Sequence, residues 1–340
     1  MTPLKLSICI STYNRADFIG GTLESICHQL TDECEIVVLD GASPDSTARV
    51  VGEYTARCSR IRYAKQEVNN GIDRDFDRAV ELARGEFCWL MSDDDSFKPG
   101  AISKVLGVIG GDVSLVLVNW EVTDVGCSEI LRRRSFQIAT DRRYGPAEME
   151  RLFVDVEKQI NYIGCVVIRR SIWLERDKES YYGTLFSFIG VIFQKPLPGH
   201  SLIIAEPLIR ARIGNSSTFS TRMFEVFTVN LPSVFRRLPI SNATKRRVCD
   251  RDPWSLKSLL YWRAAGGYSF LEYRRLIRPR LRSPGQKFVP VAVALLPGVM
   301  VNSLLTAYYK VARSPLYISL LRQSRFHIRN RKLRMKLSEE

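Results

Sequence analysis

Short apolar runs alternate with amphipathic stretches through the first half of the chain, the pattern of an α/β domain built on a largely parallel sheet. Leu6–Ser11 reads as a buried strand, and Phe18–Leu30 as a helix carrying Phe18, Ile19, Leu23 and Ile26 on one face. Glu35–Leu39 forms a second buried strand that runs into Asp40. The small residues Gly41–Asp45 then open a helix capped by Ser43 or Asp45, and Ile61–Ala64 gives a third strand. Asp73–Arg84 is helical by spacing, since Phe76, Val80 and Ala83 share a face. Phe87–Met91 is again a strand, with Ser92 and the run Asp93–Asp95 at its carboxyl end. Ligands of open α/β sheets bind at the carboxyl ends of strands, so Asp40 and Asp93–Asp95 mark the binding edge.

Later strands are expected at Leu115–Asn119, Gly164–Ile168 and Leu202–Ala205, with a helix around Pro146–Val156. Beyond about residue 222 the strand signal fades. Trp254, Tyr261, Trp262, Tyr268 and Tyr273 interleave with basic residues, and Phe288–Tyr309 is an uncharged run between Lys287 and Lys310. A chain of 340 residues, 45% hydrophobic and 25% charged, excludes a disordered or collagen-like protein and argues against a polytopic membrane protein.

Charge changes the picture once it is located. Residues 1–230 hold 27 Lys and Arg against 31 Asp and Glu, and residues 231–340 hold 23 against 5, so the two segments are −4 and +18. A basic excess at one end predicts a polyanionic partner, either nucleic acid or an anionic membrane surface, and the uncharged run favours membrane. That run is long enough to span, but Pro290, Pro297, Gly298, Asn302 and Ser303 interrupt it. Basic residues flank it on both sides, Arg274, Arg275, Arg278, Arg280, Arg282 and Lys287 before and Lys310, Arg313, Arg322 and Arg325 after. Since Lys and Arg stay on the cytosolic side, a re-entrant or surface-lying segment is expected ahead of a span or a buried core helix, with Trp254, Tyr261 and Trp262 at the interface.

Eight scattered cysteines without a C-x-x-C pair read as free thiols of a reducing compartment. The N-terminus runs straight into a strand without the features of a signal peptide, so the expected location is the cytoplasmic face of the cell membrane, peripheral or monotopic. Neither a G-x-G-x-x-G fingerprint nor a phosphate-binding G-x-x-x-x-G-K-[ST] loop occurs.

The strongest chemical signal is the carboxylate triplet. Adjacent like charges repel unless they are solvated or offset by a cation, and Mg²⁺ or Mn²⁺ prefers oxygen ligands shared with substrate phosphates. The triplet alone is equally a solvated acidic turn. Four other segments stand in order with it: Ile8-Cys-Ile-Ser-Thr-Tyr-Asn-Arg15, Val37-Val-Leu-Asp-Gly-Ala-Ser-Pro-Asp45, Asn69-Asn-Gly-Ile-Asp-Arg-Asp-Phe76 and Ala83-Arg-Gly-Glu-Phe87. Together the five resemble the family-2 glycosyltransferases. The resemblance covers roughly residues 4–110 and implies a GT-A fold, a Rossmann-like mixed sheet.

The resemblance also implies roles. Thr12, Tyr13, Asn14, Arg15, Asp73, Arg74 and Asp93 would contact a nucleotide-diphosphate sugar, Asp40 its base, and Asp94 and Asp95 the metal. Ser92 departs from the pattern, since many members carry a further Asp there. Cys88–Asp94, Asn70–Arg74, Gly164–Ser171 and Tyr182–Phe186 look most like the transferases that add dideoxyhexoses such as abequose to O-antigen units. On this reading residues 1–110 bind the donor, 111–225 bind a polyprenyl-diphosphate-linked glycan acceptor, and 226–340 form a basic helical membrane-associating segment. The catalytic base is the gap: Tyr181–Ile189, where inverting members place a carboxylate, has none. Glu175, Asp177, Glu179 and Glu206 remain as candidates that read more readily as surface charges, which leaves a catalytically degenerate nucleotide-binding protein as an alternative.

Overall fold

The computed structural model describes residues 3–214, 222–249, 254–281 and 287–324. The chain forms two compact units, one of residues 1–122, 133–212 and 237–244, the other of residues 123–132, 213–236 and 245–340. The sequence positions Arg282 and Arg325 lie outside the described residues.

The strands are β1 (Leu6–Thr12), β2 (Cys34–Asp40), β3 (Ile61–Lys65), β4 (Phe87–Met91), β5 (Ser96–Phe97), β6 (Val113–Thr123), β7 (Ile130–Arg132), β8 (Arg142–Tyr144), β9 (Val166–Arg169) and β10 (His200–Arg212). The sheet of the first unit runs β3-β2-β1-β4-β9-β6-β10-β5. Strands β3, β2, β1 and β4 are parallel, and β9 is antiparallel to both of its neighbours. The expected donor half and most of the acceptor half therefore share one sheet. Strands β1, β2 and β4 are buried along their whole length, which requires apolar residues on both faces and explains their continuous hydrophobic runs.

The helices of this unit are α1 (Ala16–Cys27), α2 (Thr47–Thr55), α3 (Ile72–Leu82), α4 (Ala101–Leu106), α5 (Met149–Val156), α6 (Arg170–Glu175) and α7 (Ser187–Phe193). α1 buries Ile19, Leu23 and Ile26 as its spacing predicts. Phe18 instead lies half-exposed at the sheet edge under the guanidinium groups of Arg15 and Arg212, 5.6 and 5.4 Å from its ring centre. Neither expected cap is the N-cap of α2, which is Ser46 and makes no side-chain capping bond; Asp45, one residue earlier, accepts from the Thr47 N–H through Oδ1. The Ser43 hydroxyl accepts from the Asn14 N–H instead.

Strand β6 continues past Asn119, where polar residues end the apolar run. Asn119 donates to the carbonyls of Phe136 and Ala205, and Glu121 pairs with Lys98 and Arg210 at 3.1 and 2.9 Å, so the polar residues are satisfied within the sheet. Gly85 has its own reason. A Cβ there would stand 2.7 Å from the Ser7 nitrogen and 2.8 Å from the Leu6 carbonyl carbon, so the Ala83–Phe87 motif packs a turn directly onto β1.

The second unit is helical. Phe224, Leu259, Tyr268, Ile277, Val293 and Ala294 are among the buried residues of its larger core, and Ala264, Val301 and Leu321 form a smaller one. Trp254, Tyr261 and Trp262, expected at a membrane interface, pack half-buried on these clusters, because the helices supply an apolar surface for their rings. No helix among the described residues is long and apolar enough to cross a membrane. The uncharged run folds as two helices, Phe288–Leu295 and Gly298–Val311, bent by 98° at the break that Pro297 imposes. Asn302, which interrupts the run in sequence, is buried and donates to the carbonyls of Ala264 and Leu321 at 3.0 and 2.8 Å.

Candidate active site

Parallel strands bring their carboxyl ends to one edge. Thr12 of β1 stands in register with Asp40 of β2, and Ile10 with Met91 of β4, so the loops that follow are neighbours. The loop after β1 is fixed by its backbone. Asn14 adopts φ +61°, a left-handed conformation that Asn tolerates, and donates its N–H to Ser43 Oγ at 2.9 Å. The N–H groups of Arg15 and Ala16 donate to Thr47 Oγ1 at 3.0 Å and Asp45 Oδ2 at 3.1 Å. Tyr13 is exposed at the tip.

Asp40 is fully buried. Its Oδ1 accepts from the Ser43 N–H at 2.7 Å and its Oδ2 from the Tyr63 hydroxyl at 2.7 Å, so in this geometry the carboxylate holds the 41–45 turn. Burial and the Asp40 charge push the Tyr63 hydroxyl well above its usual range. Asp75 lies against the same turn: a Cβ on Gly41 would meet its Oδ2 at 2.7 Å. Gln66 donates to Asp75, whose pKa is raised by burial against the pull of its hydrogen bonds.

The triplet splits into different environments. Asp93 and Asp95 are buried, and burial followed by the charge of Asp94 pushes each to about 7. Arg15 opposes this at Asp93, with Nε 3.5 Å from Oδ1, and its other arm lies 3.6 Å from Asp94 Oδ2. Asp95 accepts from the Tyr162 hydroxyl at 2.6 Å and from the Arg212 N–H at 2.7 Å, and its own carbonyl accepts from Thr22 at 2.7 Å. Three carboxylates in sequence, two of them held toward neutrality by burial and mutual repulsion, form a site where a cation would offset charge. Among the described residues no three metal-binding side chains gather into a cage. One or two carboxylates at a sheet edge are a donor set that Mg²⁺ takes when substrate phosphates complete its shell.

The structure places Asp73 and Arg74 against residues 182–187. Asp73 accepts from the N–H groups of Leu185 and Ser187 at 3.0 and 3.3 Å, and Arg74 lies over the Tyr182 ring at 4.7 Å. Asp77, on the same helix, accepts from Trp173 Nε1 at 3.0 Å and from the Tyr182 hydroxyl. The segment that lacks a carboxylate in sequence therefore receives one through space. Glu175, Asp177, Glu179 and Glu206 are all exposed, and Asp177 serves to cap the turn at Ser180. Sequence reasoning missed Tyr162, Arg212, Asp75 and Asp77. The partners of Tyr162, Arg212 and Asp77 are far away in the chain, and for Asp75, whose donor Gln66 is nearby, only the alternation of Asp73, Asp75 and Asp77 on an amphipathic helix points to more than a solvated face.

Residues 7–175 match the family described as Glycosyl transferase family 2, which covers the sheet edge and the whole carboxylate set. The chain belongs to this family. It is 25% identical over 233 residues to abequosyltransferase RfbV of Salmonella typhimurium, a match spanning 62% of this chain and 68% of that one. It is 32% identical over 103 residues to a GalNAc(5)-diNAcBac-PP-undecaprenol β-1,3-glucosyltransferase of Campylobacter jejuni, across 30% of this chain and only 33% of that relative. Among solved structures, the mannosyltransferase PcManGT of Pyrobaculum calidifontis, in complex with GDP-Man and Mn²⁺, superposes with a TM-score of 0.53 at 13% identity, covering 95% of this chain and 86% of that one. The fold is that of the GT-A glycosyltransferases, and the protein is a glycosyltransferase enzyme.

Proposed function

We propose that this glycosyltransferase moves a sugar from a nucleotide-diphosphate donor to a hydroxyl of a polyprenyl-diphosphate-linked glycan, in the synthesis of O-antigen or a similar surface polysaccharide. The observation that carries the reading is the meeting of the Tyr13–Arg15 loop, the Asp40 turn and the Asp93–Asp95 triplet at one sheet edge. A dideoxyhexose donor is supported by the likeness to an abequosyltransferase, and a lipid-linked acceptor by the Campylobacter relative.

In this mechanism the 41–45 turn and the loop after β1 form the wall for the base, with Asp40 keeping the turn in shape. Thr12 ends the strand from which that loop departs, and Asp93 holds Arg15 in place. Arg15 and Arg212, each packed over the Phe18 ring, bring positive charge to the edge where the diphosphate leaves. Asp94 and Asp95 would hold Mg²⁺ or Mn²⁺, which when bound offsets the charge developing on the leaving diphosphate. Asp73 orders the acceptor segment from below through the Leu185 and Ser187 N–H groups.

Such an acceptor would be met at the cytoplasmic face of the cell membrane, with the enzyme attached there, peripheral or monotopic, by the basic segment from residue 226 onward. Its +18 excess over residues 231–340 supports an anionic surface as partner. A screen of nucleotide sugars for thermal stabilisation, with and without Mn²⁺, tests the donor reading, since a ligand of the native state raises stability by mass action. Metal-dependent stabilisation by one nucleotide diphosphate and its sugars is expected. No stabilisation by any of them would overturn it.

A further inference from the structure

The Gly298–Val311 helix divides its surface into three faces. Val301, Asn302, Leu305 and Tyr309 turn inward, onto the small core of the helical unit. Met300, Leu304, Tyr308 and Val311 repeat at helical spacing on a second face and are all exposed, Leu304 at 63% and Val311 at 85%. Ser303, Thr306, Ala307 and Lys310 form the third. At about 100° per residue this third face is centred roughly a quarter-turn from the exposed apolar one.

The third face is one wall of a cavity of about 280 Å³, closed by Asn302 and by Arg322 from the helical stretch over residues 315–324. Several waters at about 30 Å³ each would fit there, and so would a phosphate group. Its chemistry is that of an anion site: two cations and two hydroxyls, with the Asn302 amide N–H groups already given to the carbonyls of Ala264 and Leu321. Lys310 and Arg322 have no carboxylate within ion-pair distance among the described residues, and residues 287–324 contain Lys287, Lys310, Arg313 and Arg322 but no Asp or Glu. A cationic pocket with hydroxyl donors, opening beside a solvent-facing apolar stripe, has the two halves of a phospholipid as its complement.

We propose that the cavity between the Gly298–Val311 helix and residues 315–324 binds the phosphate headgroup of an anionic bilayer lipid, while Met300, Leu304, Tyr308 and Val311 enter the acyl region above it. The proposal rests on the membrane-surface reading and deepens it by naming the site and the ligand class. Scattered single apolar residues are normal on a protein surface. Four in register on one helix, next to unpaired cations, are what interfacial helices use, where burial and charge attraction act together.

The test uses the full-length chain and co-sedimentation with phosphatidylcholine vesicles with and without phosphatidylglycerol. Lys310→Gln with Arg322→Gln and Lys287→Gln with Arg313→Gln remove the same charge from the same region. The pocket pair is expected to weaken binding to the anionic vesicles by about tenfold or more beyond the flanking pair, because it loses directed contacts besides general attraction. Leu304→Ser with Tyr308→Ser should weaken binding at high salt, where attraction is screened. Equal losses from the two charge pairs overturn the pocket and leave surface attachment standing. Failure of the unaltered chain to sediment with either vesicle overturns the membrane reading itself. Release by millimolar inorganic phosphate, or tighter binding to neutral vesicles doped with a polyprenyl diphosphate than to phosphatidylglycerol, overturns the assignment to bilayer lipid in favour of free phosphate or the acceptor. Melting temperatures of the three variants, expected to be unchanged because the altered side chains are exposed or, for Lys287, half-exposed, show that the fold is intact.

Discussion

At the carboxyl edge of the sheet Asp40, Asp73, Asp75, Asp77, Asp93 and Asp95 are buried, and each meets a donor or cation at a fixed place. In the helical unit Lys310, Arg313 and Arg322 are exposed and lack carboxylate partners among the described residues. Buried charge acts at short range in a poorly polarisable surrounding, so it depends on the geometry of individual atoms and little on salt. Exposed charge acts through solvent over about 10 Å at 0.1 M salt, is screened, and sums over many residues. The first arrangement suits chemistry on a bound diphosphate, and the second suits attraction to a charged surface. Substitutions should therefore act steeply and singly at the sheet edge, and gradually and additively at the cations of the helical unit that lie outside the Lys310–Arg322 pocket, such as Lys287 and Arg313.

The sharpest break of that contrast is at Asp94. Asp94→Asn removes one charge and about one hydrogen-bonding atom, yet turnover should fall by about 10³-fold or more if this carboxylate holds the metal, comparable to the loss of a group that stabilises developing charge. The melting temperature should change little. Neutralising Lys310 and Arg322 together should leave turnover on a soluble acceptor unchanged. Normal activity of Asp94→Asn at saturating metal would remove Asp94 from the site.

A second test concerns the acceptor segment. Asp73→Asn keeps the size of the side chain but turns an amide N–H toward one of the two N–H groups that Asp73 satisfies. An unsatisfied buried donor costs about 1–3 kcal/mol, so denaturant unfolding should show a loss of that size and turnover should fall with it. Glu179→Gln and Glu206→Gln, being exposed, should change stability by less than about 0.5 kcal/mol. If Glu179→Gln instead abolished turnover, the exposed residue would be the base and Asp73 merely structural.

These two sites show what could be read in the sequence. The centre of the parallel half was legible because β1, β2 and β4 are buried along their length and so are largely apolar, and β4 begins and ends where its apolar run does. The edge was legible because Asp40 and Asp93–Asp95 follow such runs directly. Strand β6 was cut short because Asn119 and Glu121 are buried polar residues whose partners, Ala205 and Arg210, come from β10. Asp73 was legible as part of a motif but not in its contact, since its partners lie more than a hundred residues away. The aromatic residues around Trp262 suggested an interface on composition, whereas the structure packs them on the helical cores.

A milder effect is expected at the donor wall. Asp40→Asn should raise the donor KM by about tenfold with turnover at saturation unchanged, because a group that shapes the base pocket acts equally on ground state and transition state. A fall in turnover with unchanged KM would give Asp40 a role in the chemistry instead.

The smallest effect, and the one that isolates burial itself, is at Asp75. Its pKa is raised, chiefly because burial disfavours the charged form and partly through the nearby Asp40, while Gln66 and Ser11 pull the other way. An acid whose folded pKa exceeds its unfolded value of about 3.9 binds more protons in the native state. The stability it contributes is present in acid and is lost as the pH rises above about 4 toward the raised value. Asp45, Asp112, Asp124, Glu148, Glu150 and Asp177 are shifted downward, so their losses occur on acidification and do not overlap this window, whereas Asp93 and Asp95, raised to about 7, titrate within it in both the variant and the unaltered chain and cancel in the difference. Asp75→Asn has nothing to titrate there and can still accept from Gln66. The variant should thus be less stable than the unaltered chain by a larger margin at pH 5 than at pH 8, and the margin should close or change sign as the pH rises. Melting curves in the absence of metal and nucleotide read this directly. A margin that widened with pH would mean that Asp75 is stabilised as the carboxylate, and the buried acids of the sheet edge would then be held by their partners more strongly than burial opposes them.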